Sequence, residues 1–264
     1  MEPMINIALR AARKAGESIV RASDDLHRFE VKAKGLNNFV TEVDISAEQE
    51  IIYHLRKAYP DHAILGEESG LTGDPDSEYR WVIDPLDGTT NFIRGIPHYA
   101  VSIACLHRGR IEHAVIVDPV RREEFTASRG RGAQLNGHRI RVSDLASLDG
   151  ALLGTGIPFR NHCDDRLAPY SKSIEVLAAQ CAGIRRAGAA SLDLAYVAAG
   201  RLDAFWEIGL AQWDIAAGVL LVREAGGLVA DIDASDNYLE SGNIVCGNPK
   251  CFKAVLQVVR PLLG

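Results

Sequence analysis

The chain has 264 residues, which is enough for one large domain or two modest ones with a sizeable buried core. Its 29 basic and 35 acidic residues give a net charge of −6, and the absence of long Lys or Arg runs argues against general nucleic-acid binding. The longest apolar stretch, residues 215–222, is far shorter than the roughly 20 residues that span a bilayer, so we expect no membrane-spanning segment.

Two helices are predicted at the start of the chain. Apolar residues recur at helical spacing over residues 5–19 and alternate with basic residues, which is typical of an amphipathic helix and not of a secretory signal. We therefore expect a cytoplasmic protein. The same spacing over residues 52–59 predicts a second helix, which Asp44 could cap.

Strand-length apolar runs follow between residues 100 and 140, separated by Arg-Gly, Asp-Pro and Asn-Gly pairs. These pairs favour turns, so the segment is predicted to be an antiparallel meander. From about residue 145, strand patterns alternate with helix patterns, which indicates an α/β half. Helices are predicted there over residues 168–182, 191–199 and 214–225 and from Pro249 onward, with strands at 203–208, 227–232 and 243–248.

Two lobes follow from this change of pattern. We expect an N-terminal α+β lobe over residues 1–144, which carries the metal motifs described below, and a C-terminal α/β lobe over residues 145–264. No linker rich in Pro, Gly or Ser separates them. The lobes should therefore pack closely, with the active site in a cleft between them.

The cysteines are scattered along the chain without a C-x-x-C pair. An odd number at irregular spacing argues against a disulfide framework. We predict reduced, mostly buried thiols at Cys105, Cys163, Cys181, Cys246 and Cys251.

Four acidic residues stand where predicted elements begin or end: Glu67, Asp84, Asp87 and Asp214. Glu67 could simply lie in a solvated turn, and Asp214 could cap a helix. Asp84 and Asp87 differ, because the stretch D-P-x-D-G-T at a strand end offers two carboxylates and several amide donors within one turn. If the four converge, two carboxylates about 4 Å apart repel by about 4 kcal/mol at an effective dielectric constant near 20, so cations must join them.

Ligands that are all oxygen, with no cysteine among them, favour Mg²⁺ or Mn²⁺ over zinc. Two such ions could flank a phosphate and prepare a water molecule for in-line attack, so phosphate-ester hydrolysis is the predicted reaction. Gly88, Thr89 and Thr90 follow the two aspartates directly. They could present backbone amides and hydroxyls to phosphate oxygens at the start of a short helix.

Three motifs, GEES at 66–69, WVIDPLDGTTNF at 81–92 and WDIAAG at 213–218, together resemble the inositol monophosphatase family of Mg²⁺-dependent, lithium-sensitive phosphatases. The similarity covers nearly the whole chain. It points away from fructose-1,6-bisphosphatase and 3′-phosphoadenosine 5′-phosphate phosphatase, which share the metal motif. The resemblance implies a layered αβαβα sandwich, a homodimer, and hydrolysis of inositol 1-phosphate with two or three Mg²⁺ ions per active site.

The resemblance also implies roles for individual residues. Thr89 with Glu67 would activate the attacking water, and Lys34 would belong to a mobile loop near the metals, with a merely solvated lysine as the alternative. Glu207 would face the inositol hydroxyls, unless it is an exposed charge at a strand end. The implied metal ligands are Glu67, Asp84, the carbonyl of Leu86, Asp87 and Asp214. The implied substrate contacts are Gly88, Thr89, Thr90, Gly188, Ala189, Ala190 and Glu207.

A second role follows from the same resemblance. The bacterial members that are most similar are linked to transcription antitermination on ribosomal RNA genes, with RNA polymerase and the factor NusA as partners. Arg185 and Arg186 could contribute to such a contact, although an arginine pair is ordinarily solvated. The chain is thus expected to be a Mg²⁺-dependent phosphomonoesterase, or mainly a regulatory protein with vestigial phosphatase activity, or both.

Overall fold

The computed structural model describes residues 2–25, 31–35, 38–158 and 165–264. The helices in these ranges are α1 (Pro3–Ser23), α2 (Glu42–Ala58), α3 (Thr89–Ile93), α4 (Leu167–Ala178), α5 (Ala190–Ala198), α6 (Gln212–Glu224), α7 (Tyr238–Ser241) and α8 (Pro249–Leu263). The strands are β1 (Val31–Gly35), β2 (Asn38–Thr41), β3 (Ala63–Gly66), β4 (Gly70–Thr72), β5 (Tyr79–Asp87), β6 (Ala100–His107), β7 (Arg110–Asp118), β8 (Glu123–Ser128), β9 (Gly132–Leu135), β10 (His138–Arg139), β11 (Leu152–Thr155), β12 (Gly183–Arg185), β13 (Ala204–Glu207), β14 (Leu228–Ala230) and β15 (Ile244–Gly247).

Two large sheets form the frame of the molecule. The first has eight strands in the order β10-β9-β8-β7-β6-β5-β3-β4, and the second has five in the order β12-β11-β13-β15-β14. In the first sheet the neighbours are antiparallel, except that β3 runs parallel to β5. In the second, β11 pairs in parallel with β12 and β13, whereas β15 is antiparallel to β13 and β14. The antiparallel hairpin β1–β2 forms a separate two-stranded sheet.

Helices cover both faces of both sheets. α1 and α2 pack on one face of the eight-stranded sheet, α5 and α6 lie between the sheets, and α4 and α8 cover the far face of the five-stranded sheet. This five-layer αβαβα arrangement confirms the predicted fold class.

The helices of the central layer are buried on nearly all sides because a sheet lies on each side of them. Residues 215–222 of α6 are all buried, whereas the buried residues of α1 follow one helical face. α5 and α6 also approach each other closely at Gly218, where a Cβ atom would lie 2.4 Å from the Cβ of Leu194. Only glycine permits this contact.

The predicted elements are confirmed with small changes in their ends. Both N-terminal helices, the antiparallel meander and the α/β succession after residue 145 are present, although α4 ends at Ala178 instead of residue 182. The predicted capping residue of α2 takes a different position. Thr41 is the N-cap residue, and its hydroxyl accepts the Val43 N–H over 3.2 Å. Asp44 caps the helix from within its first turn, where its carboxylate accepts the Thr41 N–H.

The two sheets fall on either side of residue 144, where a boundary between lobes is predicted. They share the layer formed by α5 and α6, and one hydrophobic cluster contains residues of both sheets and of both helices. The division into two lobes therefore stays a prediction.

The cysteines in the described ranges are free thiols, with Cys105, Cys246 and Cys251 buried and Cys181 half-buried. This agrees with the predicted reduced state, and Cys163 lies outside the described residues. No helix in those ranges has the length and the apolar composition that crossing a membrane requires.

A column of stacked rings lies at the end of the first sheet where β5 begins and β6 ends. Tyr59, His62, Tyr79 and His107 follow one another with ring centroids 4.8, 4.6 and 4.4 Å apart. The indole N–H of Trp81 donates to His62 Nδ1 over 3.1 Å, so this nitrogen carries no proton. Burial lowers the pKa of His62, which keeps the ring neutral inside the stack.

We expect the free energy of unfolding to fall in mild acid, because the stack stabilises the protein only while His62 is neutral. Because the pKa of His62 is lower in the folded state, its contribution to stability is complete above the unfolded pKa of about 6.5. It is lost progressively as the pH falls from that value through the lower pKa of the folded state. His62→Gln retains an acceptor for Trp81 without the titration. Urea unfolding at pH 7.5 and pH 5.5 should show a smaller loss of stability in this variant than in the wild type or in the control His138→Gln, which changes an exposed histidine. Equal losses in all three proteins would contradict the role of His62.

Candidate active site

The aspartates of the D-P-x-D stretch lie on a β-bulge at the end of β5. Asp84 pairs with Ser102 of β6, whereas Asp87 pairs with Ala100. A distance of three residues along β5 therefore matches a distance of only two residues along β6. Residues three apart on a regular strand point to opposite faces, and the extra residue of a bulge brings the two carboxylates to one side. The Leu86 N–H donates to Asp84 Oδ1 over 3.0 Å and stabilises this turn of the backbone.

Glu67 reaches the same edge from the parallel strand β3. Gly66 pairs with Ile83, and the Glu67 N–H donates to the Ile83 carbonyl oxygen over 3.1 Å. One step further along this register, Glu67 stands beside Asp84. Parallel neighbours end at the same edge of a sheet, which is why two distant acids meet here.

Asp214 comes to the site from the central layer. It lies in the first turn of α6, and its Oδ2 accepts the Ala211 N–H over 2.6 Å. The first turn of a helix favours a negative charge, so capping and a position in the site are compatible for this residue.

The four acids influence one another electrostatically. Burial raises the pKa of the Asp84 carboxyl well above its usual value, and the negative charges of the other three acids raise it further. Burial likewise raises the pKa of Asp214, followed by the charge of Asp87. The structure therefore brings the acids predicted from the sequence into one electrostatic cluster.

Asp87 is held by the start of α5. Burial raises its pKa to about 6, although the N–H of Ser191, at 2.7 Å from Oδ2, and the Ser191 hydroxyl both stabilise the charged form. Ser191 is fully buried and was not singled out in the sequence, because a serine near a helix start is common.

The donor chemistry of this cluster fits a hard divalent cation. Across the described ranges, no three Asp, Glu, His or Cys side chains already stand in the arrangement of a formed metal site. The donors are nevertheless all oxygen, and the buried carboxyls raise one another's pKa, so protons or cations must balance their charge. Mg²⁺ and Mn²⁺ suit such donors.

A left-handed turn follows the acids. Gly88 has φ of 95°, and a Cβ atom on it would lie 3.0 Å from the His98 carbonyl oxygen and 3.3 Å from that of Gly188. Glycine is therefore required here on both conformational and steric grounds. Thr89 then begins α3, whose first-turn N–H groups have no partner within the helix.

The Thr89 hydroxyl lies between two oxygen acceptors. Its Oγ1 is 2.9 Å from Asp44 Oδ1 and 3.1 Å from the Leu86 carbonyl oxygen. Asp44 is buried, burial raises its pKa, and its other oxygen accepts from Thr41. From the sequence, Asp44 is predicted only to cap a helix, because nothing in the spacing indicates that α2 packs against the turn at Thr89.

α2 also holds the loop that carries Glu67. The buried carboxylate of Glu48 accepts the N–H groups of Glu68 and Ser69 over 2.9 and 2.8 Å. It packs so closely on Gly66 that a Cβ there would lie 2.4 Å from Glu48 Oε2. Glu48 follows Asp44 by four residues on the same helical face, so one helix orients both sides of the acid cluster.

Glu207 is buried at the end of β13, so the alternative of an exposed charge is wrong. A Cβ atom on Gly156 would lie 1.7 Å from Glu207 Oε1, which means that the carboxyl rests directly on this glycine. Burial raises the pKa of Glu207 to about 8, with a further rise from Asp193. Asp193 was missed in the sequence, although an acid inside the otherwise apolar α5 is a signal for a buried charge.

The segment of residues 188–190 lies beside the turn at Gly88. The Asn91 amide nitrogen of α3 donates to the carbonyl oxygens of His98 and Ala187 over 2.8 and 2.9 Å, and so fastens this segment. Gly188 has φ of 89°, and Ala189 and Ala190 are buried at the start of α5. The predicted substrate contacts 188–190 are thus next to the predicted phosphate loop.

Four other residues that the sequence predicts to be functional lie on or near the surface or are only partly described. Thr90 is exposed on α3, and Arg185 and Arg186 are exposed at and just after the end of β12. The backbone of Lys34 belongs to β1, whereas its side chain lies outside the described residues. The roles predicted for these residues remain predictions.

Comparisons with known proteins agree over the whole chain. The model of the inositol monophosphatase family matches residues 1–262. The chain is 63% identical over 265 aligned residues to the Nus factor SuhB of Pseudomonas aeruginosa. This alignment covers 100% of this chain and 98% of that protein. The crystal structure of the extragenic suppressor protein suhB from Bartonella henselae is similar with a TM-score of 0.95 and 42% identity, covering 98% of this chain and 99% of that one. The inositol monophosphatase structure from Anabaena is similar with a TM-score of 0.86 and 35% identity, and the match covers 98% of this chain and 96% of that one.

We expect Glu48→Gln to loosen the Glu67 loop. The amide offers one acceptor where the carboxylate offered two, so one buried N–H loses its partner at a cost of about 1–3 kcal/mol. Urea unfolding should show this loss, and calorimetric titration with Mg²⁺ should show weaker binding. The control is Glu42→Gln, which changes an exposed residue of the same helix. The prediction fails if the two variants behave alike in both measurements.

Proposed function

Because the chain belongs to the inositol monophosphatase family, we propose that it is a Mg²⁺-dependent phosphomonoesterase that hydrolyses inositol 1-phosphate to inositol and inorganic phosphate. Members of this family are generally metal-dependent. The observation that carries the proposal is the convergence of Glu67, Asp84, Asp87 and Asp214 beside the left-handed turn at Gly88. Repulsion within a cluster of buried acids destabilises a protein unless protons or cations balance the charge, and cation binding is the role that we propose for this cluster.

In this proposal the acid cluster holds two or three Mg²⁺ ions. When bound, they would supply positive charge that stabilises the phosphate and would lower the pKa of a water molecule. The proposed ligands are Glu67, Asp84, the carbonyl oxygen of Leu86, Asp87 and Asp214.

Thr89 is proposed to orient the attacking water together with Glu67. Because the Thr89 hydroxyl donates towards Asp44, its own lone pairs are free to accept a hydrogen bond from water. The water oxygen forms a bond to phosphorus, and its proton moves through Thr89 to Asp44, whose raised pKa suits an acceptor. The ester P–O bond breaks on the opposite side, and the leaving oxygen takes up a proton from solvent.

The remaining residues are proposed to bind the substrate. Gly88, Thr89 and Thr90 would hold the phosphate through backbone N–H groups and hydroxyls. With a pKa of about 8, Glu207 is largely protonated at neutral pH, so its carboxyl can donate to one substrate hydroxyl and accept from another. Gly188, Ala189 and Ala190 would form the adjacent wall, and Lys34 would add a positive charge near the phosphate.

We also propose that the chain forms a homodimer. Ile96, Ile157 and Leu167 are large apolar side chains with 49%, 46% and 45% of their surface exposed. A second copy that covered these side chains would remove their apolar surface from water. Light scattering measures the mass directly.

We expect Asp84→Asn to abolish the activity. The amide removes one negative ligand from the cluster, and phosphate release from inositol 1-phosphate should fall by about 100-fold or more. The assay titrates Mg²⁺ with and without Li⁺ and uses fructose 1,6-bisphosphate as a competing substrate. Asp149→Asn is the control, since Asp149 is exposed away from the cluster. If folded wild-type protein releases no phosphate from either substrate, the phosphatase proposal is wrong.

A second function is favoured by the names of the relatives. The similar protein of Pseudomonas aeruginosa is called a Nus factor, and we infer that this chain also acts in transcription antitermination on ribosomal RNA genes with RNA polymerase and NusA. With a net charge of −6, contact through these protein partners is favoured over direct binding of RNA. Arg185 and Arg186 are the proposed partner-binding residues.

We expect the two functions to be separable. Asp84→Asn changes a buried residue, so it should leave the exposed surface and hence antitermination intact. Cell-free transcription of a ribosomal RNA leader with RNA polymerase and NusA measures read-through with the wild type, with this variant and without the protein. Read-through lost together with hydrolysis would show that the roles are not independent.

A further inference from the structure

Gly156 and Glu207 are neighbours where two parallel strands end. Thr155 is the last residue of β11 and pairs with Trp206 of β13, so the next residues along these strands, Gly156 and Glu207, stand side by side. Both are buried. Burial raises the pKa of Glu207, and the charge of Asp87 makes a smaller contribution to the rise. The carboxyl of Glu207 therefore lies near the acid cluster.

The Glu207 carboxyl occupies the space in which a side chain of residue 156 would stand. A Cβ atom on Gly156 would lie 1.7 Å from Oε1, 1.9 Å from Cδ and 2.3 Å from Oε2 of Glu207. The φ angle of Gly156 is outside the left-handed region, so the backbone conformation does not require glycine here. Glycine is needed at this position because the carboxyl lies against it.

A buried hydrogen-bond network holds the backbone at Gly156 in place. Thr155 Oγ1 lies 2.9 Å from the carbonyl oxygen of Trp206, and the Tyr170 hydroxyl oxygen lies 2.7 Å from Thr155 Oγ1 and 3.2 Å from the same carbonyl oxygen. The indole N–H of Trp206 donates in turn to the Ser173 hydroxyl over 3.2 Å. All four side chains are buried. Because the network ties the ends of β11 and β13 to α4, a side chain added at Gly156 would displace the carboxyl and not the strand.

We propose that Gly156 is a specificity-determining residue. Because it has no side chain, the Glu207 carboxyl stands where it can bind hydroxyls next to the ester, and the site favours polyol phosphates over phosphates of alcohols that carry no further hydroxyl. This rests on the proposed phosphatase function and adds a residue that acts on the choice of substrate through Glu207. The packing is buried inside the single chain, so it does not depend on a surface that a second copy would cover.

The test compares two phosphates that share the same carbon ring. Inositol 1-phosphate carries hydroxyls on the ring, whereas cyclohexyl phosphate carries none, so only the first can bind through Glu207. A methyl group at Gly156 would move the carboxyl by about 1 Å or more, and a well-formed hydrogen bond does not survive such a shift. We expect Gly156→Ala to lower the ratio of kcat/KM for inositol 1-phosphate to that for cyclohexyl phosphate by about tenfold.

Two controls separate this contact from a general loss of packing. Gly154→Ala adds a methyl group two residues earlier, where the Cβ would lie 2.9 Å from Leu202 Cδ1, and should change the ratio by less than about twofold. In protein that already carries Glu207→Ala the preference is lost, so Gly156→Ala should again change the ratio by less than about twofold. Light scattering on every variant measures assembly, because Ile157 belongs to the proposed contact between copies.

Urea unfolding tests the same contact without activity. Because the added methyl group collides with the carboxyl, Gly156→Ala should lower the midpoint of unfolding when Glu207 is present. The loss should be smaller in the Glu207→Ala background, where the space is free, and this double variant provides folded protein even if Gly156→Ala alone does not fold. Equal losses in the two backgrounds would overturn the contact.

A binding measurement separates this inference from the phosphatase proposal. Calorimetric titration of both phosphates into Asp84→Asn, with and without Gly156→Ala, detects the preference in protein that does not turn over. If the wild type hydrolyses neither compound, the phosphatase proposal is wrong. A preference for inositol 1-phosphate that Gly156→Ala removes would still support the role of Gly156.

The role of Gly156 would be refuted by any of three results with the two phosphates. The first is a ratio that Gly156→Ala leaves unchanged, including an equal loss with both compounds, which would mean that Gly156 only supports the fold. The second is a fall in the ratio that persists in the Glu207→Ala background, which would mean that Gly156 acts independently of the carboxyl. The third is a change of ratio that occurs only together with an altered mass in light scattering.

Discussion

The mutual repulsion of buried carboxylates is the constraint around which the active region is organised. The bulge at the end of β5 turns Asp84 and Asp87 to one side, and β3 ends beside them with Glu67. Left alone, such groups would take up protons or move apart. The N–H groups at the starts of α5 and α6 hold Asp87 and Asp214 instead, so the fold uses helix ends to keep the acids together.

α2 is the element that ties this region to the rest of the protein. Its first turn binds Thr89 through Asp44, and its second turn binds the Glu67 loop through Glu48. A helix is stiff over one turn, so these two loops keep a fixed separation. The helix packs in turn on α1 and β5, which transmits the rigidity of the apolar core to the polar site.

Periodicity and turn signals predicted an α+β half followed by an α/β half, whereas the layered αβαβα order was implied by the resemblance to the family. The acids at element ends were also recognisable, since strand ends and helix starts are where ligands gather. The bulge was not, because register depends on β6, a partner strand some residues away. Glu48 and Asp193 were missed for a similar reason: each acts through a contact with a segment that is distant in sequence.

The central layer has a consequence for how the chain is made. The eight-stranded sheet is complete at Arg139, but the helices that cover its inner face, α5 and α6, end only at Glu224. At a synthesis rate of about 5–20 residues per second, the ribosome needs several seconds to add them. During that interval an apolar sheet face stays uncovered on the nascent chain. Newly made protein therefore passes through an interval in which chaperones or neighbouring chains compete with α5 and α6 for the same surface.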